Sequence, residues 1–165
     1  MNQEELFEIL NINKIQYKII EHPAVFTCDD ADKYTGNHPG IGTKNLFLSN
    51  KKSNQFYLLM TRSDTKIDFK SLSILLNQKN IKFASIENTK KHLDVEPGSV
   101  SVFCALNNQS PNIEILIDED LYQFDLIQSH PLTNKATIIV GIKDIENLLT
   151  NSKIRFRIMP IPIKI

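Results

Sequence analysis

The chemistry-bearing residues of this chain are few, and the densest group lies in Gly42-Thr43-Lys44-Asn45-Leu46-Phe47-Leu48. A lysine and an amide side by side, after a glycine and ahead of an apolar strand-like run, can put a cation and a two-way hydrogen-bonding group at a pocket mouth. The same lysine can equally snorkel from a strand end into water. Three further segments bear on that choice. Glu21-His22-Pro23-Ala24-Val25-Phe26-Thr27 and His130-Pro131-Leu132-Thr133-Asn134 each hold a histidine in the extended backbone that a following proline favours. An imidazole near its ordinary pKa can orient water or a hydroxyl, or move a proton. Glu96-Pro97-Gly98-Ser99-Val100-Ser101-Val102-Phe103 opens on a tight turn. Gly98 there lets backbone approach a ligand closely, while Ser99 suits either a ligand contact or a local turn bond.

Other chemistries lack their residues. There is no phosphate-binding Walker loop, no dinucleotide glycine fingerprint, no helical His-Glu-x-x-His and no Gly-x-Ser-x-Gly elbow. His22, His38, His92 and His130 are scattered without zinc-ligand spacing, so neither a metal nor a cofactor is expected. Cys28 and Cys104 are isolated, which fits a reduced protein and small apolar fillers.

The elements that must position these residues can be read from caps and periodicity. Asn2 caps a first helix carrying Leu6, Phe7, Ile9 and Leu10 and stopping near Asn11–Asn13. Ile15, Tyr17 and Ile19 predict a strand that Pro23 ends. Thr27 caps a short helix reaching Tyr34, and residues 35–40 form a loop. Strands are expected near 43–49 and 55–61 around a polar hairpin connection. Asp68 caps a helix with Leu72, Leu75 and Leu76, and Ser85 caps another ending near Leu93. Val100–Ala105 and Ile113–Ile117 read as buried strands around a polar turn. Ala136–Val140 reads as one more strand, and Asp144–Leu149 as a closing helix. Arg155–Ile158 alternates like an edge strand, with Pro160 and Pro162 limiting further pairing. Hairpins mixed with helices predict an α+β fold with a mainly antiparallel or mixed sheet.

In order and spacing, the four segments resemble the YbaK/ProX family of aminoacyl-tRNA editing domains, closest to its free-standing PrdX or ProXp-ala branch. The likeness runs from the first helix to near residue 150. It implies a single YbaK-like domain over residues 1–165, with a mixed, mainly antiparallel, barrel-like sheet flanked by helices. By this resemblance Lys44 matches the strand lysine that contacts the terminal adenosine or its phosphate, and Asn45 the polar position beside it. His130 matches the histidine of the His-Pro-x-x-Asn segment, making Lys44, Asn45 and His130 the expected catalytic set. Gly98 matches the start of a Gly-x-x-x-Pro loop lying against the aminoacyl group, and Gly98, Ser99 and Asn134 are the expected substrate-binding residues. The chain departs from the pattern at Val102, where the family has proline. It also departs at Ser129, where many relatives carry an aromatic, and at Lys135, where a small hydroxyl residue is common.

The implied activity is that of a free-standing trans-editing deacylase, acting on alanine esterified to the proline tRNA through attack by water or the ribose hydroxyl. A synthetase pocket built for proline excludes alanine poorly, because missing methylenes change binding by only about 1–3 kcal/mol. A second site too small for proline can clear the error. The residues around Val25, Phe26, Leu46 and Phe103 are the expected pocket lining. The alternatives are a deacylase for cysteine or serine on a tRNA, and a catalytically silent relative that binds tRNA or a synthetase. The expected partners are the acceptor end of an aminoacyl-tRNA and prolyl-tRNA synthetase, with no membrane and no DNA. Nineteen basic residues balance nineteen acidic ones over 165 residues, so RNA contact must be local. Lys51-Lys52 and Lys90-Lys91 are candidates for phosphate contact. The acidic start and the lack of any transmembrane-length apolar run predict a cytoplasmic chain.

Overall fold

The computed structural model describes residues 1–107 and 112–165. Helix α1 (Gln3–Ile12) starts where Asn2 predicts. The Asn2 side chain accepts the Glu5 N–H at 2.9 Å, and the Glu5 carboxylate accepts the Asn2 N–H at 2.8 Å, satisfying two otherwise orphaned donors. Strand β1 (Tyr17–Glu21) leads to α2 (Cys28–Thr35), capped by the Thr27 hydroxyl on the Asp30 N–H. Then come β2 (Ile41–Ser49), β3 (Phe56–Arg62), α3 (Phe69–Leu75) capped by Asp68, β4 (Lys82–Phe83), and α4 (Ile86–Leu93) capped by Ser85. Beyond them lie β5 (Ile113–Asp118), β6 (Leu126–Ser129), β7 (Ala136–Gly141), α5 (Ile142–Asn151) and β8 (Phe156–Met159).

The strands form one sheet in the order β1-β7-β6-β2-β3-β5-β8, with β4 paired to β2. The β2–β6, β3–β5 and β5–β8 pairs are parallel and the other four antiparallel, so the α+β, mixed-sheet expectation holds. The sheet is open rather than closed, with β1 and β8 at its two ends. Strands β3 and β5 are buried on both faces, as near-continuous apolar runs should be. The two-residue period sorts their side chains. Leu58, Met60, Ile115 and Ile117 enter a core with α1 and α5, while Tyr57, Leu59 and Leu116 enter a second core with Leu48 and Leu72.

Val100–Ala105 is not a strand. It folds as two 3-10 turns, Pro97–Ser99 and Val102–Asn107. The donors of this run are taken locally or by a side chain. Val102 N–H goes to Asn45 Oδ1 (3.0 Å), Phe103 N–H to Ser101 Oγ (3.2 Å), and Cys104 N–H to the Ser101 carbonyl (2.9 Å). The apolar character is used for burial in packed turns instead of a ladder. The polar turn expected after it falls largely on residues 108–111, outside the described residues.

Strand β8 is the edge strand expected, and Arg155 and Arg157 fasten it by bonding the buried Glu114 of β5 at 3.1 and 2.8 Å. Beyond Pro160 the chain pairs once more than expected. Ile163 forms an antiparallel bridge with Ile67, Asp68 N–H donates to the Pro162 carbonyl (2.9 Å), and Lys164 N–H donates to the Lys66 carbonyl (2.8 Å). Proline does not prevent this, because Pro162 supplies an acceptor and no donor is asked of it.

Candidate functional site

One edge of β2 is paired to β3 from Thr43 to Ser49, but its other edge meets β6 only at Ile41 and Gly42. Past Gly42 the two strands diverge, and a cavity of ≈170 Å³ is walled by both of them. Side chains bond across the split where backbone does not. The Thr43 hydroxyl donates to the Gln128 carbonyl (2.6 Å), and Asn45 Nδ2 donates to Ser129 Oγ (3.2 Å). The Gln128 amide faces the carbonyls of Thr35, His38 and Pro39 at 3.0–3.2 Å, tying the loop after α2 to β6.

Lys44, Asn45, Gly98 and His130 all line this cavity, brought together from three distant parts of the chain. The half-buried Lys44 points its amine at the Thr65 carbonyl and donates to it. That carbonyl belongs to a braced loop, because the Thr65 hydroxyl meets Thr61 (3.2 Å) and the Thr61 hydroxyl donates to the Asp118 carboxylate (2.5 Å). Asp118 is only 3 % exposed, and burial pushes its pKa up from the ordinary value, with the bond from Thr61 opposing. Asn45 uses both ends of its amide, since Oδ1 accepts the Val102 N–H and Nδ2 reaches Ser129. A backbone N–H can only donate, so the orientation of this amide is fixed.

His130 Nδ1 lies 3.4 Å from the Ala136 carbonyl, which requires Nδ1 to carry the proton and leaves Nε2 as the ring's acceptor. Burial holds its pKa below the ordinary 6.5; the Ala136 bond opposes that shift and the neighbouring His22 adds to it. His22 sits behind the wall, with Nδ1 on the Pro23 carbonyl (2.8 Å), Nε2 on the Thr137 hydroxyl (2.9 Å) and its ring stacked on Tyr34. Gly98 is exposed in its 3-10 turn. A Cβ built there would meet only Asn134 Nδ2, at an ordinary 3.9 Å, so the fold itself does not demand glycine.

Ser99 and Asn134 do not line the cavity. Ser99 N–H bonds the Glu96 carbonyl within its turn (2.9 Å). Asn134 instead clamps the wall from behind. Its Nδ2 donates to the Val25 carbonyl (3.1 Å), and its own carbonyl accepts the Val25 N–H (3.0 Å). Val25 and Phe26 do line the cavity, the latter 79 % exposed at the rim. Leu46 and Phe103 belong elsewhere, Phe103 in the core and Leu46 facing a different cleft.

Sequence reasoning passed over the helical wall. Cys28, Ala31, Asp32 and Thr35 line the cavity at i, i+3, i+4 and i+7 of α2, a single helix face. The Thr27 cap set that register and could have revealed them. Asp32 supplies the one carboxylate on the wall among the described residues, and it shares the cavity with the Lys44 cation. Of the lysine pairs considered for RNA, Lys90 is already paired with Glu96 at 3.1 Å.

The family model for the aminoacyl-tRNA editing domain matches residues 22–148. The chain is 33% identical over 136 residues to the prolyl-tRNA editing protein ProX of Acetoanaerobium sticklandii, covering 82% of this chain and 83% of that protein. It is 29% identical over 153 residues to prolyl-tRNA synthetase associated domain-containing protein 1 of Danio rerio, covering 92% and 83%. Its fold is similar to the solved structure of a candidate trans-editing enzyme for prolyl tRNA synthetase, with a TM-score of 0.74 at 18% identity over 98% of this chain and 97% of that one. Among the described residues no helix is long and apolar enough to cross a membrane.

Proposed function

Because the chain belongs to the aminoacyl-tRNA editing domain family, we propose that it hydrolyses the ester of mischarged tRNA, with alanine on the proline tRNA as its preferred substrate. The observation that carries this reading is the gathering of Lys44, Asn45, Gly98 and His130 around a cavity of ≈170 Å³. Drug-sized ligands occupy pockets of about 300–1,000 Å³. The space here suits a small aminoacyl group, while the rest of the tRNA stays outside. Residues 1–165 act in this reading as one editing domain, presented with its substrate by prolyl-tRNA synthetase.

The nucleophile is water. Attack by the neighbouring ribose hydroxyl only moves the ester between oxygens, whereas water adds to the carbonyl carbon and releases the amino acid as the ester C–O bond breaks. The leaving ribose oxygen takes up the proton. Lys44 leaves the Thr65 carbonyl to meet the phosphate or the carbonyl oxygen of the bound end, where charge develops. The Nε2 of neutral His130 orients the attacking water or the ribose hydroxyl. Asp32 faces the α-ammonium group of the substrate as its counter-charge.

The test is deacylation of alanyl-, prolyl-, cysteinyl- and seryl-tRNA by the purified protein. Release of alanine with proline spared supports the reading. Hydrolysis confined to cysteine or serine moves the specificity, and none at all removes the enzyme.

Two expectations follow from the wall itself. Gly98→Ala should keep stability within about 0.5 kcal/mol, since the new methyl has room. It should still lower kcat/KM about 10–100-fold by displacing the ester. Comparing thermal melts with single-turnover rates separates the two effects. The second expectation concerns pH. With its pKa held low, His130 stays neutral through the physiological range, so activity should be flat there and fall as pH drops below 6.5 and through the lowered value. Stability should decline in the same direction, because the unfolded histidine takes up its proton first. A rate profile that is flat down to the acid unfolding transition would remove His130 from the reaction.

A further inference from the structure

A second cleft, of ≈240 Å³, shares Lys44 with the first. Its floor includes Leu46 and Phe69, and its rim carries Phe83, Lys66 and Lys164. The Phe69 and Phe83 rings lie 5.5 Å apart and tilted by 58°, and Phe83 is 59 % exposed. The bridge between Ile67 and Ile163 sets Lys164 beside Lys66. Neither lysine, nor Lys44, has an ion-pair partner among the described residues. The nearby carboxylate, Asp68, is within electrostatic range of Lys164 but is already committed to capping α3, where it accepts from Lys70 N–H, Ser71 N–H and the Ser71 hydroxyl.

An exposed aromatic ring framed by unpaired cations, in a chain of zero net charge, is the arrangement that holds single-stranded nucleic acid. Its size fits one planar base rather than a folded segment. Its shared lysine places it one step along any strand whose end enters the first cavity. Resting on the editing function proposed above, we propose that this cleft binds the nucleotide preceding the terminal adenosine of the charged strand. Its base lies on Phe83 and its phosphate between Lys66 and Lys164. A strand held on both sides of Lys44 cannot slide, so the ester is fixed in register with His130.

The test uses a 5′-labelled RNA hairpin that copies the acceptor stem and its single-stranded ACCA end. A second hairpin has an abasic site at the nucleotide before the terminal adenosine. Wild type should bind the intact hairpin at least about fivefold more tightly. Phe83→Ala should erase that difference. The Lys66→Ala/Lys164→Ala double variant should weaken both hairpins alike and reduce the slope of log affinity against log salt by roughly 0.7 per lysine. All three positions are exposed, and melting curves check that the variants stay folded. Indifference of wild type to the missing base, or variants that bind as wild type does, overturns the proposal. So does a Phe83→Ala effect seen only on association with the synthetase. If no charged tRNA is hydrolysed but base discrimination still depends on Phe83, the hydrolase reading falls and the binding site stands.

Discussion

Lys44→Ala should abolish measurable deacylation, lowering the single-turnover rate about 10²–10³-fold, the usual loss for one preorganised donor at a developing charge. The thermal melt should hardly move. Lys44 is half-buried at a strand edge, and among the described residues its amine bonds the Thr65 carbonyl, which can bond water once the amine is gone. Arginine should not restore activity. Its planar fork would have to fit a space shaped for a single ammonium group, and it presents charge over a wider area. The Thr61–Asp118 bracing makes a related point, because the carbonyl that receives Lys44 is held in place by groups no substrate touches. A Lys44→Ala protein that kept more than a tenth of wild-type activity would contradict the mechanism.

Asn45→Ala should damage both stability and rate. Asn45 sits on β2 past the point where β2 and β6 stop pairing, and it joins β2 to the 3-10 turn at Val102 and to β6 through Ser129. Val102 is 1 % exposed, so removing the amide leaves a buried N–H with no partner, a loss of about 1–3 kcal/mol. The turn that starts at Val102 would then loosen against β2, and the cavity wall beside it would shift. Asn45→Asp gives the discriminating comparison. A carboxylate oxygen still accepts the Val102 N–H, and the Ser129 hydroxyl can turn round to donate to the other oxygen. Aspartate should therefore recover most of the lost stability. It should recover less of the rate, since it adds a negative charge beside Lys44. Equal melting temperatures for the alanine and aspartate proteins would show that the bond to Val102 carries little weight.

This bond also gives the unusual Val102 a reason. Where related domains are expected to carry proline, the chain keeps a residue with an N–H, and Asn45 depends on it. A proline at 102 would remove the donor that orients the amide.

What could be read from the chain, and what could not, divides by the range of the interactions involved. Asn2, Thr27, Asp68 and Ser85 were legible as caps because each bonds an N–H two or three residues on. Val100–Ala105 was misread because its apolar, β-type residues are bonded by Ser101 and by a side chain from Asn45, and the second of these leaves no trace in local pattern. Leu126–Ser129 was missed for a similar reason. Its Gln128 and Ser129 are buried, Gln128 on carbonyls at and after the end of α2 and Ser129 on Asn45 of β2, and such distant partners leave no trace in local pattern. At the site, Lys44, Asn45, Gly98 and His130 were legible through segments whose resemblance runs from the first helix to near residue 150. Thr61, Thr65, Asp118 and Gln128 were not, since they act by gripping the backbone or side chains of distant segments.

The pairing of β1 with β7 sets Tyr17 against Val140, and the cavity takes its walls from segments spread across that span, from Val25 to Thr137. A ribosome making this protein must therefore release β7 before β1 can pair with it. Until then the early strand waits with an unpaired edge, and closing so large a loop makes the final step slow. An editing domain of this topology gains its complete sheet only once β7 has been made.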